Sequence, residues 1–282
     1  MIAANFDYES PRTLSEALDL LSSREDAKIL AGGHSLLPAM KLRLAQPTLL
    51  VDIGRIGGLS YIRESGDQIV IGAMTRHAEV AGSQLLRRSS PLLALTATQI
   101  GDTQVRNRGT IGGSVAQSHP AADYPASVLA LDAEIVVQSR SGERVIPAKD
   151  FFTGMFSTQL RNDEILTEVR VPRTIGENVT YKKFHHPASG YAVVGVAVRL
   201  KMAGAKIDHV AVGITGVSDF AYRAPAVENA LRGRTATAIV EAATQAASGI
   251  EVIGDVYASA AYRRHLVQVI TRRSLEQAVS GR

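Results

Sequence analysis

The chain has 282 residues, 45% of them hydrophobic and 21% charged, a composition ordinary for a soluble globular protein of one large or two smaller domains. Lys plus Arg number 31 against 27 for Asp plus Glu; this excess of +4 is too thin and scattered to point to nucleic acid. With no cysteine anywhere, disulfides and thiolate-held iron–sulfur clusters are excluded within the chain.

The N-terminus has no basic region and no apolar core, so no signal peptide is expected. Thr13 to Leu21 places Leu14, Ala17, Leu18 and Leu21 at helical spacing. Lys28 to Ala31 is a short apolar strand broken by Gly32-Gly33. Leu36, Leu37, Met40 and Leu44 predict a short helix, and Leu49 to Ile53 the next strand. A boundary is expected at Gly57-Gly58. Ile69 to Gly72 predicts a strand, and His77 to Arg88 and Leu92 to Ile100 predict helices. Gly101 to Pro125 is rich in Gly, Ser, Pro and Asn and reads as one long functional loop. Glu134 to Gln138 and Arg144 to Ile146 form a hairpin around Ser141-Gly142, and Ile165 to Val171 is a strand stopped by Pro172. Three strands follow: Val179 to Phe184, Ala192 to Met202 and Lys206 to Thr215. Helices then run over Ala224 to Leu231, Thr235 to Ser248 and Ser259 to Val279. Strands followed by helices indicate an α+β layer pair. The longest apolar run, Tyr191 to Val198, is far short of the roughly 20 residues of a membrane span, and a cytoplasmic location is expected. The pairs Arg87-Arg88, Arg263-Arg264 and Arg272-Arg273 read as solvated helix faces.

Several chemistries are missing. No two glycines lie two positions apart, so G-x-G-x-x-G cannot occur, and no Gly-Lys-Ser/Thr supplies a Walker A loop. Zinc signatures are absent, and His185-His186 point to opposite sides of a strand, so no metal site is expected. Gly33-His34-Ser35-Leu36-Leu37 begins like a nucleophile elbow, but Leu37 stands in place of the closing glycine. No side-chain nucleophile or general base is expected.

Two double-glycine segments remain. Ala31-Gly32-Gly33-His34-Ser35 ends a strand and opens a short helix, so its backbone N–H groups and the Ser35 hydroxyl suit a diphosphate. Thr110-Ile111-Gly112-Gly113-Ser114 offers a second run of approachable N–H groups with two hydroxyls. Asp123 follows in a Pro-bounded turn; a carboxylate there suits ribityl or ribose hydroxyls. Each segment alone is equally a tight turn, and Asp123 alone is equally a turn cap.

The whole chain resembles the medium, FAD-binding subunit of the molybdenum hydroxylases, the xanthine dehydrogenase and aerobic carbon monoxide dehydrogenase family. The resemblance rests on Phe6-Asp7-Tyr8, Ala31-Gly32-Gly33-His34-Ser35-Leu36, Val51-Asp52-Ile53, Ile71-Gly72-Ala73-Met74-Thr75, Gly109-Thr110-Ile111-Gly112-Gly113, Asp163-Glu164-Ile165-Leu166 and Tyr191-Ala192 in this order. It implies a p-cresol methylhydroxylase-type FAD-binding domain of two α/β subdomains, about 1–57 and 58–175. A C-terminal domain, 176–282, would carry a three-stranded antiparallel sheet and a helical bundle. It implies that FAD contacts Leu30, Ala31, Gly32, Gly33, His34, Ser35 and Leu36, Thr110 to Ser114, and Asp123. Leu166 would lie near the flavin ring, Lys182 near the cofactor, with Lys183 one register away, and Tyr191 beside the isoalloxazine. The family's Gly-Gly-Asn is Gly-Gly-Ser114 here, and its asparagine-rich run is Ala121-Ala122. It further implies a large subunit with molybdopterin and a small subunit with [2Fe–2S] clusters, assembled as a dimer of heterotrimers, with electrons passing through this chain to an external acceptor. The large subunit would choose the substrate. A stand-alone flavin oxidase with a covalent link at His34, or an assembly subunit without FAD, are the alternatives.

Overall fold

The computed structural model describes residues 2–281; Met1 and Arg282, the outer ends of the expected domains, lie outside the described residues. Among the described residues three larger sheets are built in chain order, beside a two-stranded one of Phe152–Gly154 and Ser157–Thr158. The first is parallel, with Leu49–Asp52 between Asp7–Glu9 and Lys28–Leu30. Its helix Leu14–Ser23 starts at a capping box, with the Thr13 hydroxyl accepting from the Glu16 N–H and the Glu16 carboxylate accepting from the Thr13 N–H. Ala17, Leu18 and Leu21 on that helix pack against Leu49, Val51 and Ile53.

The second sheet has five antiparallel strands in the order Ile62–Ser65, Gln68–Gly72, Ile165–Pro172, Glu134–Ser139, Gly142–Pro147. Helices Pro91–Thr98, Ile111–Gln117 and Asp123–Ala130 share its core, with Tyr124, Leu92, Leu93 and Ile111 fully buried. The third sheet contains the three expected strands, Asn178–His185, Ala192–Ala203 and Lys206–Thr215, and adds the two-residue strand Tyr222–Arg223. Valines and isoleucines of this sheet pack with Leu266, Val267 and Ile270 of the long helix Ala260–Ser280. From its other face Tyr181 and Ala197 join the core of the second sheet. Among the described residues no helix is long and apolar enough to cross a membrane.

The segment Gly101 to Pro125, expected as a loop, contains the helices Thr103–Arg106 and Ile111–Gln117 and the start of Asp123–Ala130. Polar residues that look like loop chemistry are caps here. The Asp102 carboxylate accepts from the Val105 N–H, and the Thr110 hydroxyl accepts from the Gly113 N–H. Asp123 is the first residue of a helix rather than part of a turn, and Pro125 sits in that helix's first turn, where an N–H has no helical partner. The expected helix over Thr235 to Ser248 is shorter, a 3-10 turn at Ala236–Ala238 followed by Ile239–Ala243. The exposed strand Asp7–Glu9 and the mostly exposed strand Ile62–Ser65 lack an apolar pattern and escape sequence reading.

Helix Asp123–Ala130 lies directly on the third sheet at Gly213, where an added Cβ would meet the Ala126 carbonyl carbon at 2.8 Å. Backbone cannot yield there as a side chain can. Gly213→Val is expected to cost about 3 kcal/mol by overpacking, read as a fall in Tm of about 5 °C or more in thermal unfolding followed by circular dichroism.

Candidate functional site

The two double-glycine segments touch. A Cβ on Gly32 would collide with the Arg108 carbonyl oxygen and lie 2.8 Å from Gly109 Cα. Gly33 has φ +78°, a conformation that favours glycine. Their backbone groups differ in use. Among the described residues, no protein acceptor meets the N–H groups of Gly32, Gly33, His34, Ser35 or Leu36. In the second segment, Ile111 N–H donates to Thr75 O at 3.0 Å, Gly112 N–H to Ala73 O at 2.9 Å and Ser114 N–H to Thr110 O at 3.0 Å. Gly113 N–H is taken by the Thr110 hydroxyl at 3.2 Å. The expected second run of available amides is therefore absent, because the segment is the capped first turn of a helix docked on Ala73. A Cβ on Gly112 would stand 2.5 Å from Ala73 Cβ. Thr110, Gly113 and Ser114 of this segment line the groove.

Two grooves meet at the loops. One, of about 270 Å³, is lined by Ala31 to Leu36, Thr110, Gly113, Ser114, Asp123 and Tyr191. The other, of about 770 Å³, is lined by Leu166, Gly112 and Phe156 among others. Ala31, Leu36, Gly113 and Gln117 line both, so an extended ligand could pass from one groove to the other along this shared wall. Leu30 lines a third groove behind Gly32-Gly33, and Ile111 points into the core.

Asp123 is at the buried end of the smaller groove. The Tyr181 hydroxyl donates to its carboxylate, and Lys183 Nζ lies 3.0 Å from Oδ1, with the Lys183 side chain 2% exposed. Burial raises the Asp123 carboxyl above its usual range, while the Lys183 ammonium and the Tyr181 hydroxyl draw it down. The expected Lys182 is not there. Tyr181 and Lys183 share one strand face, and Lys182 belongs with Thr180, whose hydroxyl donates to Ser274 O in the C-terminal helix. Ala121-Ala122, in place of the asparagine run, is held by backbone: Ala192 N–H donates to Ala121 O at 3.3 Å and the Thr215 hydroxyl to Ala122 O at 2.8 Å.

Tyr191 is at the mouth, 38% exposed, stacked on His119 at 4.4 Å between ring centroids. Phe156 meets the other side of His119 edge-on at 5.2 Å. Burial lowers the pKa of His119 and raises that of Tyr191, whose hydroxyl also meets Ser35. His34 is exposed on the groove wall. Sequence reading named Lys183 only as the neighbour one register from Lys182, and missed Tyr181, His119 and His77 as site residues. Only strand parity from Tyr181 hints at Lys183, and nothing local marks the others.

Residues 4–174 match the family described as the FAD binding domain in molybdopterin dehydrogenase, and residues 179–278 match the CO dehydrogenase flavoprotein C-terminal domain. The chain belongs to the FAD-binding medium subunits of the molybdenum hydroxylases. This medium subunit is 40% identical over 282 residues to the carbon monoxide dehydrogenase medium chain of Hydrogenophaga pseudoflava, covering 99% of this chain and 98% of that relative. It is 39% identical over 274 residues to the nicotine 6-hydroxylase medium subunit of Paenarthrobacter nicotinovorans, covering 96% of each. A chain of the solved carbon monoxide dehydrogenase from Hydrogenophaga pseudoflava, in a form lacking the Mo-pyranopterin moiety of the molybdenum cofactor, superimposes with a TM-score of 0.97. That superposition covers 100% of this chain and 99% of that one at 40% identity. The medium subunit is thus an oxidoreductase subunit with an FAD-binding domain. Its donor set fits that cofactor: unpartnered amides for a diphosphate, a buried carboxylate for hydroxyls, and a second groove that adjoins the first at Ala31 and Leu36.

Lys183→Met would leave Asp123 buried without its cation, at a cost of about 3–5 kcal/mol near neutral pH. With the lysine gone, the folded pKa of Asp123 rises further above its unfolded value. The native state then binds the extra proton, so stability is present at low pH and lost as pH rises above the unfolded value of about 3.9. The Lys183→Met variant should melt at a higher temperature at pH 5 than at pH 8, and adding Asp123→Asn should remove that dependence.

Proposed function

We propose that this medium subunit holds one non-covalent FAD across the two grooves and serves as an electron relay. Electrons would come from [2Fe–2S] clusters of a small subunit, supplied by a molybdopterin-bearing large subunit, and leave to an external acceptor. The observation that carries this reading is the row of unpartnered amides, Gly32 to Leu36, along the smaller groove, whose last residue, Leu36, also lines the larger one. Medium chains that act in a carbon monoxide dehydrogenase and in a nicotine 6-hydroxylase support it. A dimer of heterotrimers and a cytoplasmic location belong to the same proposal. So does a division of the chain into 1–175 (subdomains 1–57 and 58–175) and 176–282, for which the three separate core clusters speak.

In this reading the Gly32–Leu36 amides and the Ser35 and Ser114 hydroxyls hold the diphosphate. Asp123, fixed by Lys183 and Tyr181, accepts from ligand hydroxyls. Leu166 and Phe156 give apolar contact in the larger groove, and Tyr191 with His119 covers the mouth of the smaller one. Bound FAD supplies storage for two electrons between one-electron carriers and the acceptor. The protein's part is binding, orientation and the exclusion of water.

The purified chain, given FAD, should release it to the supernatant on acid precipitation. Flavin in the pellet would mean a covalent link at His34, and no uptake at all would mean an assembly role. Reconstitution with the small and large subunits tests the relay, because substrate of the large subunit should bleach the flavin only when the small subunit is present. Gly33→Val, at a positive φ, should weaken FAD retention about tenfold or more while the chain stays folded. Lys182→Met, on the far strand face, should leave the flavin midpoint potential unchanged.

A further inference from the structure

One polar group beside the smaller groove has no task in the reading above. His77 is 5% exposed, lines that groove, and has an Nδ1 that is sealed from solvent with no hydrogen-bond partner. Its ring is 5.3 Å from the ring of Tyr124, which is fully buried. Burial, the largest cause, together with His34 and Arg106, pushes its pKa down to about 4, so the imidazole is neutral near pH 7.

A neutral imidazole carries one proton. A sealed nitrogen without a partner is better tolerated as an acceptor than as a donor, so the proton sits on Nε2. The fold keeps space for that nitrogen. A Cβ on Gly109 would lie 2.5 Å from His77 Nε2, so only glycine lets the imidazole edge stand where it does. Gly109 also lines the groove, and its Cα is the atom that a Cβ on Gly32 would meet at 2.8 Å. The Nε2–H therefore opens beside the unpartnered amides of the first loop.

We propose that His77 is a positioning residue for the cofactor's diphosphate, donating its Nε2–H to a diphosphate oxygen beside the Gly32–Leu36 amides. This rests on the FAD-binding reading above. A fixed neutral donor adds direction to the loop without bringing another buried charge. It also gives the Nε2–H a partner when the ligand is present, while Nδ1 stays sealed as an acceptor.

The test uses the full chain, with flavin fluorescence quenching to measure affinity and thermal melts to follow folding. His77→Phe should weaken FAD about tenfold or more with Tm near that of the unmodified chain. His77→Gln, which keeps a donor, should recover most of the affinity. Riboflavin, which has no phosphate, should bind all three proteins equally. In the unmodified chain labelled with nitrogen-15, FAD should shift the His77 Nε2–H resonance and slow its exchange, whether or not the variants fold. Unweakened FAD binding by His77→Phe, failure of His77→Gln to rescue, an equal loss for riboflavin, or a His77 resonance indifferent to FAD would each overturn the proposal. If the unmodified chain binds no FAD, the functional reading itself falls.

Discussion

The Lys183 ammonium crosses from the C-terminal sheet to the Asp123 carboxylate, and both side chains are almost wholly withdrawn from water. Taking two such charges out of solvent costs several kcal/mol each, so the pair persists only with full hydrogen bonding. It has that. Lys183 Nζ donates to Gln99 O at 2.6 Å and Gly190 O at 2.8 Å as well as to Asp123, and the Tyr181 hydroxyl donates to Oδ1 of the same carboxylate. Four pieces of chain are thereby tied at one point: the end of helix Pro91–Thr98, the start of helix Asp123–Ala130, the strand Asn178–His185 and the turn before Tyr191. These pieces form the floor and mouth of the smaller groove. A charge pair of this kind is weak evidence for stability but a strong constraint on placement, since neither partner tolerates the loss of the other.

That constraint explains why a sheet packed largely on its own helix belongs to the site at all. The C-terminal sheet reaches the FAD-binding part through one face, with Tyr181, Lys183, Thr215 and Gly213 all directed at the segment from Pro120 to Ala130. The Thr215 hydroxyl lies 2.8 Å from both Pro120 O and Ala122 O, its one proton shared between the two carbonyls. The segment Ala121-Ala122 is thus held from another sheet and by backbone, which no local reading of it could show.

Much of the fold is legible in the sequence where one physical cause dominates. Strands Ala192–Ala203 and Lys206–Thr215 are long apolar runs because both faces are covered, and Gly204, at φ +60°, turns the chain between them. The segment from Gly101 to Pro125 was illegible because its glycines, serines and aspartates serve as caps and close contacts, with the same residue types that loops use. At the site, Ala31 to Leu36, Thr110, Gly113, Ser114, Asp123 and Tyr191 do come together around one groove, and Leu166 lines the adjoining one. Lys182 lines neither groove, for a specific reason. Alternation tells which residues share a face, but which face meets the neighbouring domain is decided by the whole packing arrangement.

The double glycines were the strongest signal in the sequence, and their physical basis is divided. Gly33 bends a loop whose amides remain free, while Gly32, Gly109 and Gly112 are small because backbone, an imidazole and an alanine press on them. Two similar motifs thus perform unlike work: one offers hydrogen-bond donors, and the other spends its donors on anchoring a helix so that the first can be approached. A binding loop with many unpartnered amides is unstable alone, since each lacks a partner until ligand or water supplies one. The rigid, fully bonded second loop pressed against it is what holds those amides in one place. The grip is therefore made by the contact of the loops, and a glycine matters here as much for what it lets approach the backbone from within the protein as for what it lets approach from the groove.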